Sequence, residues 1–193
     1  KHTAGCKPEQ IAAPKEVLLP MDMHSGGLAV PVVSVGEYVR VGQLIAKEDV
    51  RFSSPVHATV SGTVAEIMTI SRPGGKEVQA IRIENDGKME IDPSVKAPVI
   101  NNCDEFLQAI RESGVVGLGG ATFPAHVKLC PPPGKKADCL ILNGAECEPY
   151  LTSDYRIMLE RSKEIVIGAA IMKQVLGGCP AVIGIEENKP EAI

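Results

Sequence analysis

The sequence predicts a two-part α+β protein, with a β-rich first part over residues 1–100 and an α/β second part over residues 101–193. Three observations carry this reading. Short Val- and Ile-rich runs, punctuated by Gly and Pro, fill the first hundred residues and leave no helical period. A helix-start signal at Asn102 then opens a different pattern. Beyond it, two apolar runs of strand length flank one long helical stretch, the signature of a parallel strand–helix–strand unit.

In the first part, strands are expected over residues 28–33, 38–41, 43–46, 59–60, 62–67 and 78–83. Turn signals separate them, notably Arg72-Pro-Gly-Gly75 and Asn85-Asp-Gly87. In the second part, Asn102 with Glu105 forms a capping pair for a helix running to Ser113. Pro124 suits the first turn of a short helix, and Pro131-Pro-Pro-Gly134 forces a loop. A buried strand is expected over 139–142, then one long helix from Ser153 or Asp154 to the Gly177-Gly178 stop. A second buried strand follows over 181–185, and Asn188-Lys-Pro190 caps and opens a last helix. A strand–helix–strand of this length is a right-handed parallel crossover. Its two strand exits, Asn143-Gly-Ala-Glu-Cys-Glu148 and Glu186-Glu-Asn188, are expected on one edge, where open α/β sheets bind ligands.

Composition narrows the function classes. The 20 basic and 24 acidic residues nearly balance, and aromatics are scarce, with no Trp. Neither a basic stripe nor a base-stacking platform is available, so nucleic acid is not an expected partner. No run of apolar residues is long enough to span a bilayer, and no secretory leader pattern opens the chain. The six cysteines are scattered without C-x-x-C spacing, which predicts reduced thiols and no metal or cluster site within this stretch. The chain stops at Ile193, just as the last helix begins, and reads as a piece of something longer.

The densest motif is Gly114-Val-Val-Gly-Leu-Gly-Gly-Ala-Thr-Phe-Pro124. Glycines keep side chains from between backbone amides and a ligand, which suits a phosphate, with a following helix N-terminus and Lys128 adding positive charge. A helix rather than a strand precedes the motif, so it is not the dinucleotide fingerprint. The plainer reading, a tight interhelical turn, carries equal weight on spacing alone. In Asn143-Gly-Ala-Glu-Cys-Glu-Pro149, two carboxylates and a carboxamide leave a strand end, suited to ribose hydroxyls, a metal or acid–base work. A solvated loop is the simpler account of that segment. Val35-Gly-Glu-Tyr-Val-Arg-Val-Gly-Gln-Leu-Ile45 and Ser54-Pro-Val-His-Ala-Thr-Val-Ser-Gly-Thr-Val64 read as two related hairpins of a flattened barrel. They resemble biotinyl and lipoyl carrier domains, the barrel-sandwich hybrid fold. The segment between them lacks the Met-Lys that carries a prosthetic group, so a swinging-arm role is disfavoured.

Taken in order, Gly117-Leu-Gly-Gly-Ala-Thr-Phe-Pro-Ala-His-Val-Lys128, Leu142-Asn-Gly-Ala-Glu-Cys-Glu-Pro149 and Gly184-Ile-Glu-Glu-Asn-Lys-Pro190 resemble the RnfC family of the Rnf-type ion-translocating NAD:ferredoxin oxidoreductases. The barrel-sandwich segment and Ile83-Glu-Asn-Asp-Gly87 match in the same order. The second part is also similar to the NADH-binding flavoprotein of respiratory complex I. The resemblance implies a barrel-sandwich hybrid followed by a truncated, Rossmann-like FMN/NADH-binding domain. It implies cofactor contacts at Gly117, Gly119, Gly120, Phe123, Lys128, Asn143, Glu146, Glu148 and Glu187, with the glycine loop and both acidic exits around one flavin. It assigns no catalytic side chain. NADH would stack on the flavin and deliver hydride to it. Electrons would then pass to 4Fe-4S clusters in a part of the family pattern that lies beyond Ile193, and on to ferredoxin. The implied setting is a peripheral position at the cytoplasmic face of the cell membrane, among the other subunits of an electron-transport complex. A chain of this extent is expected to be inactive alone and to bind FMN weakly or not at all. The competing expectation is a structural or docking module of a redox complex. Two departures from the relatives stand out: Thr122 replaces the glycine of G-A-G-F-P, and Ala145 replaces an acidic residue of the complex I version.

Overall fold

The computed structural model describes residues 2–193. They form two compact units, Ala12–Cys130 and the segment through Ile11 together with Pro131–Ile193.

The first unit is built on two antiparallel sheets. One contains β1 (Glu16–Pro20), β7 (Glu77–Asn85), β6 (Gly62–Ser71) and β3 (Tyr38–Val39), in that order. The other contains β2 (Ala29–Pro31), β4 (Leu44–Glu48) and β5 (Val56–His57). The β6–β7 hairpin turns at Arg72-Pro-Gly-Gly75, where the Arg72 N–H donates to the Lys76 carbonyl at 2.8 Å. Val78, Ala80, Ile81 and Ile83 are buried along β7, a pattern that departs from strict alternation. Val78 and Ile83 join one core with Leu19, Met21, Val39, Ile45, Val56, Val64 and Ile81, drawn from both sheets.

Two sequence expectations need correction here. Neither glycine-punctuated segment is a hairpin, because β3 and β4 belong to different sheets and so do β5 and β6. Each segment instead carries the chain from one sheet to the other, stitched by the Gly42 N–H to the Ala58 carbonyl and the Gly36 N–H to the Val64 carbonyl, both 2.8 Å. Residues 59–60 are a bend, not a strand. Val60 is 5% exposed, so its apolar character records burial rather than pairing. The sequence reading also missed β1, a sheet-edge strand ending in Pro20. An edge tolerates the proline that argues against a central strand.

The same unit holds α1 (Cys103–Glu112), the glycine loop and α2 (Ala125–Lys128). Asn102 caps α1 as expected, its Oδ1 accepting from the Glu105 N–H at 2.9 Å. The reciprocal bond is displaced by one residue, with Glu105 Oε2 accepting from the Asn101 N–H at 2.7 Å.

In the second unit, β8 (Leu140–Gly144) and β9 (Ala181–Ile185) pair in parallel, Leu140 opposite Ala181 and Gly144 opposite Ile185. The expected single long helix between them is two helices, α3 (Ser153–Glu160) and α4 (Ser162–Val175). Arg161, at φ −130° and ψ 29°, is the break. Apolar residues continue on both sides of it, so the pattern does not reveal it. The last element is a 3-10 turn, Pro190–Ala192, flanked by Lys189 rather than capped by Asn188. Among the described residues no helix is long and apolar enough to cross a membrane.

Candidate functional site

The glycine loop hangs from a closed neck. Val116 and Pro124 form an isolated bridge, the Gly117 N–H donates to the Phe123 carbonyl at 2.9 Å, and the Ala125 N–H to the Val115 carbonyl at 2.9 Å. Above that neck, the N–H groups of Leu118, Gly119, Gly120, Ala121 and Thr122 find no acceptor among the described residues. Leu118 is 92% exposed. A Cβ built at Gly119 or Gly120 would meet nothing within 4 Å. Backbone amides without protein acceptors are the groups an anion-binding loop needs, and the space beside Gly119 and Gly120 is open. Gly120 holds φ +98°, a conformation that suits glycine. Thr122 holds φ +48°, a left-handed region that a glycine would occupy without strain. The residues present therefore fit a phosphate-bearing group such as FMN.

The source of positive charge differs from the sequence reading. The helix after the loop, α2, is a single turn of four residues, too short to offer a developed dipole. The cradle rests on loop amides, with the exposed Lys128 at the end of α2 as the nearby cation in sequence. Phe123 is partly exposed, and its ring centroid lies 5.1 Å from that of Phe52 in a tilted pair. Burial lowers the His126 pKa below the ordinary histidine value.

In the other unit, the exits of β8 and β9 do meet. Glu146 is 3% exposed. Its Oε1 accepts from the Asp154 N–H at 2.8 Å, satisfying one of the open amides at the start of α3. Its Oε2 lies 3.0 Å from Lys189 Nζ, and Glu186 Oε2 lies 2.8 Å from the same nitrogen. The Glu146 N–H also reaches Glu186 Oε2 at 3.4 Å. Burial works against the Lys189 ammonium, but its hydrogen bonds to Glu186 and Glu146 win and raise its pKa. The Tyr155 ring centroid lies 5.9 Å from Lys189 Nζ, and the Tyr155 hydroxyl donates to Glu191 at 3.2 Å.

Asn143 turns the chain at the end of β8, its Oδ1 accepting from the Ala145 N–H at 3.1 Å. Glu148 and Glu187 are exposed. Of the residues singled out from sequence, Gly117, Gly119, Gly120, Phe123 and Lys128 belong to the first unit, and Asn143, Glu146, Glu148 and Glu187 to the second. Sequence reasoning missed Glu186 and Lys189, which organise the strand exits. The signal was present as an acid and a base three residues apart beside a second acidic exit, but capping of the last helix already accounted for the segment.

Comparison with known proteins finds relatives for both parts. A family profile described as the RnfC barrel sandwich hybrid domain matches residues 1–88, and one described as the Nuo51 FMN-binding domain matches residues 110–193. The C subunit of the proton-translocating ferredoxin:NAD(+) oxidoreductase complex of Clostridium ljungdahlii is 50% identical, across 100% of this chain and 43% of the relative. Its Na(+)-translocating counterpart from Acetobacterium woodii is 42% identical, across 93% of this chain and 41% of the relative. The C subunit of the ion-translocating oxidoreductase complex of Rhodobacter capsulatus is 40% identical, across 100% of this chain and 38% of the relative. The chain thus spans about two-fifths of the length of these curated relatives.

Proposed function

The chain belongs to the RnfC family of ion-translocating oxidoreductase complexes, and from that premise we propose that it handles FMN and NAD(H) in the transfer of electrons between NAD(H) and ferredoxin. The observation that carries this reading is the run of uncommitted loop amides from Leu118 to Thr122. FMN, when bound, supplies the exchange between two-electron and one-electron chemistry. The protein's own part is to hold and orient. Gly117, Gly119 and Gly120 keep the loop amides clear for a phosphate, and Lys128 adds a positive charge. Phe123 offers an aromatic face. Asn143 has its carboxamide N–H groups to donate, since its oxygen is engaged by Ala145. Glu148 and Glu187 offer carboxylates to ribose hydroxyls. Glu146 acts one step back, fixing the exits of β8 and β9 through Lys189.

The parallel pairing of β8 with β9 supports a Rossmann-like reading of the second part. The two family matches, 1–88 and 110–193, lie on either side of the proposed domain division at about residue 100. The relatives' names support a place among the other subunits of a membrane complex, and we assign the chain a peripheral position on its cytoplasmic face, with 4Fe-4S clusters carrying electrons onward.

Titration of FMN and of riboflavin into the native protein, followed by flavin fluorescence, tests the proposal. A loop that grips the phosphate predicts saturable binding of FMN at least about tenfold tighter than riboflavin, since about 1.4 kcal/mol is a modest return for several amide contacts. Equal binding of the two, or none, rejects the reading and favours a docking module.

A further inference from the structure

The glycine loop is not self-supporting, and what supports it comes from the β-rich part of its own unit. The Ser25 N–H donates to the Thr122 carbonyl at 3.0 Å, and the Ser25 hydroxyl donates to the Ala121 carbonyl. Both acceptors belong to the stretch whose amides lack partners. Ser25 itself sits in a tight turn that is locked from behind. His24, 7% exposed, places Nε2 2.9 Å from the Gly27 carbonyl and 2.9 Å from the Ser53 hydroxyl. Ser53, fully buried, donates to the same Gly27 carbonyl at 2.9 Å. The Gly27 N–H donates to the Phe52 carbonyl at 2.8 Å, and Phe52 then packs its ring on Phe123 at the end of the loop. Gly26 permits this approach, because a Cβ there would lie 2.2 Å from the Phe52 carbonyl oxygen.

We propose that Ser25 is a positioning residue that sets the glycine loop for its phosphate-bearing ligand, with the buried His24–Ser53 contact as its anchor. The physical reasoning concerns carbonyls. In a loop whose amides must converge on an anion, the alternate peptide faces carry carbonyls, and a carbonyl left to rotate brings its negative end toward the anion. Ser25 engages two consecutive carbonyls, those of Ala121 and Thr122, and so keeps them from rotating. It also explains how Thr122 keeps φ +48° in the absence of a glycine, since the bond to its carbonyl opposes relaxation to negative φ. Preorganisation of this kind raises affinity by removing the ordering cost at the moment of binding.

This inference rests on the FMN reading for its ligand, and two readouts keep the two separable. In the native protein, Ser25→Ala, Ser25→Thr and wild type are compared for FMN affinity and for the rate of chymotryptic cleavage after the exposed Leu118. The proposal expects Ser25→Ala to weaken FMN about tenfold, the equivalent of one net hydrogen bond of about 1.4 kcal/mol. It expects cleavage several-fold faster, an unchanged melting temperature, and recovery of both properties in Ser25→Thr, which keeps the hydroxyl. If wild type binds no FMN, the FMN reading fails and the cleavage rates alone decide. Cleavage of Ser25→Ala at the wild-type rate, or FMN affinity equal to wild type, overturns the proposal.

Discussion

Glu146 and Lys189 form a buried ion pair, Oε2 to Nζ at 3.0 Å, between residues 43 positions apart in sequence. The pair joins the chain leaving β8 to the chain leaving β9. Replacing Lys189 by Met leaves Glu146 and Glu186 facing one another without their cation. The expected cost is about 2 kcal/mol of stability for the α/β unit, measured by urea denaturation. The double variant Glu146→Gln with Lys189→Met should regain part of it, because the uncompensated buried charge is gone. A single variant as stable as wild type contradicts the pair's organising role.

His57 gives the β-rich unit an acid-sensitive step. Burial lowers its pKa, opposed by the nearby Glu48 carboxylate. With the folded value depressed, the unfolded chain binds the proton more readily. Stability is therefore intact above the ordinary histidine value of about 6.5 and declines as pH falls through it toward the folded value. His57→Gln should flatten this part of a melting-temperature profile between about pH 7 and pH 5. An unchanged slope in that variant places the acid sensitivity elsewhere.

At the Asn85-Asp-Gly87 turn, Asp86 accepts from the Lys88 backbone N–H and the Ser61 hydroxyl, which hold its pKa down at about 2. Tyr38 donates to Asp86 at 2.8 Å and to Glu90 at 3.0 Å, and its pKa is pushed up to about 12. NMR titration of Ser61→Ala should find the Asp86 carboxyl moved upward toward the usual aspartate range. A carboxyl that stays put assigns the shift to the Lys88 backbone N–H and charge and the Tyr38 hydroxyl instead.

Two glycines in turns separate conformational strain from collision. Gly36, at φ +87°, has open space where a Cβ would go, whereas Gly26, at φ +110°, would place one 2.2 Å from the Phe52 carbonyl oxygen. Gly36→Ala should cost about 1 kcal/mol, for backbone conformation only. Gly26→Ala should cost roughly 2–4 kcal/mol, because Phe52 must also move. Equal melting temperatures for the two variants contradict this geometry.

Much of this was legible in the sequence. The β-rich character of the first part, the Asn102 cap, the parallel strands at 140–144 and 181–185 and the glycine loop between α1 and α2 each follow from local rules of pattern and turn chemistry. What escaped depended on distant partners. The sheet exchange within 35–45 and 54–64 is set by which neighbour each short strand finds, and alternation is the same in a hairpin as in a crossover. The break at Arg161 leaves the apolar pattern undisturbed. Lys189 looked like part of a helix start because only the folded chain brings Glu146 to it. Ser25 carried no signal at all, being one serine in a turn nearly a hundred residues before the carbonyls it holds.

The central claim, that the open amides after Gly117 receive the phosphate of FMN, is tested most directly at Gly119. A Cβ at this position meets nothing, so Gly119→Asp spares the fold while setting a negative charge beside the cradle. FMN affinity of the native protein and of this variant, measured by fluorescence quenching at low salt with melting temperatures matched, is the decisive comparison. The account predicts that Gly119→Asp weakens FMN by at least about tenfold, equivalent to about 1.4 kcal/mol of repulsion and lost contact. FMN bound equally well by the variant would contradict it.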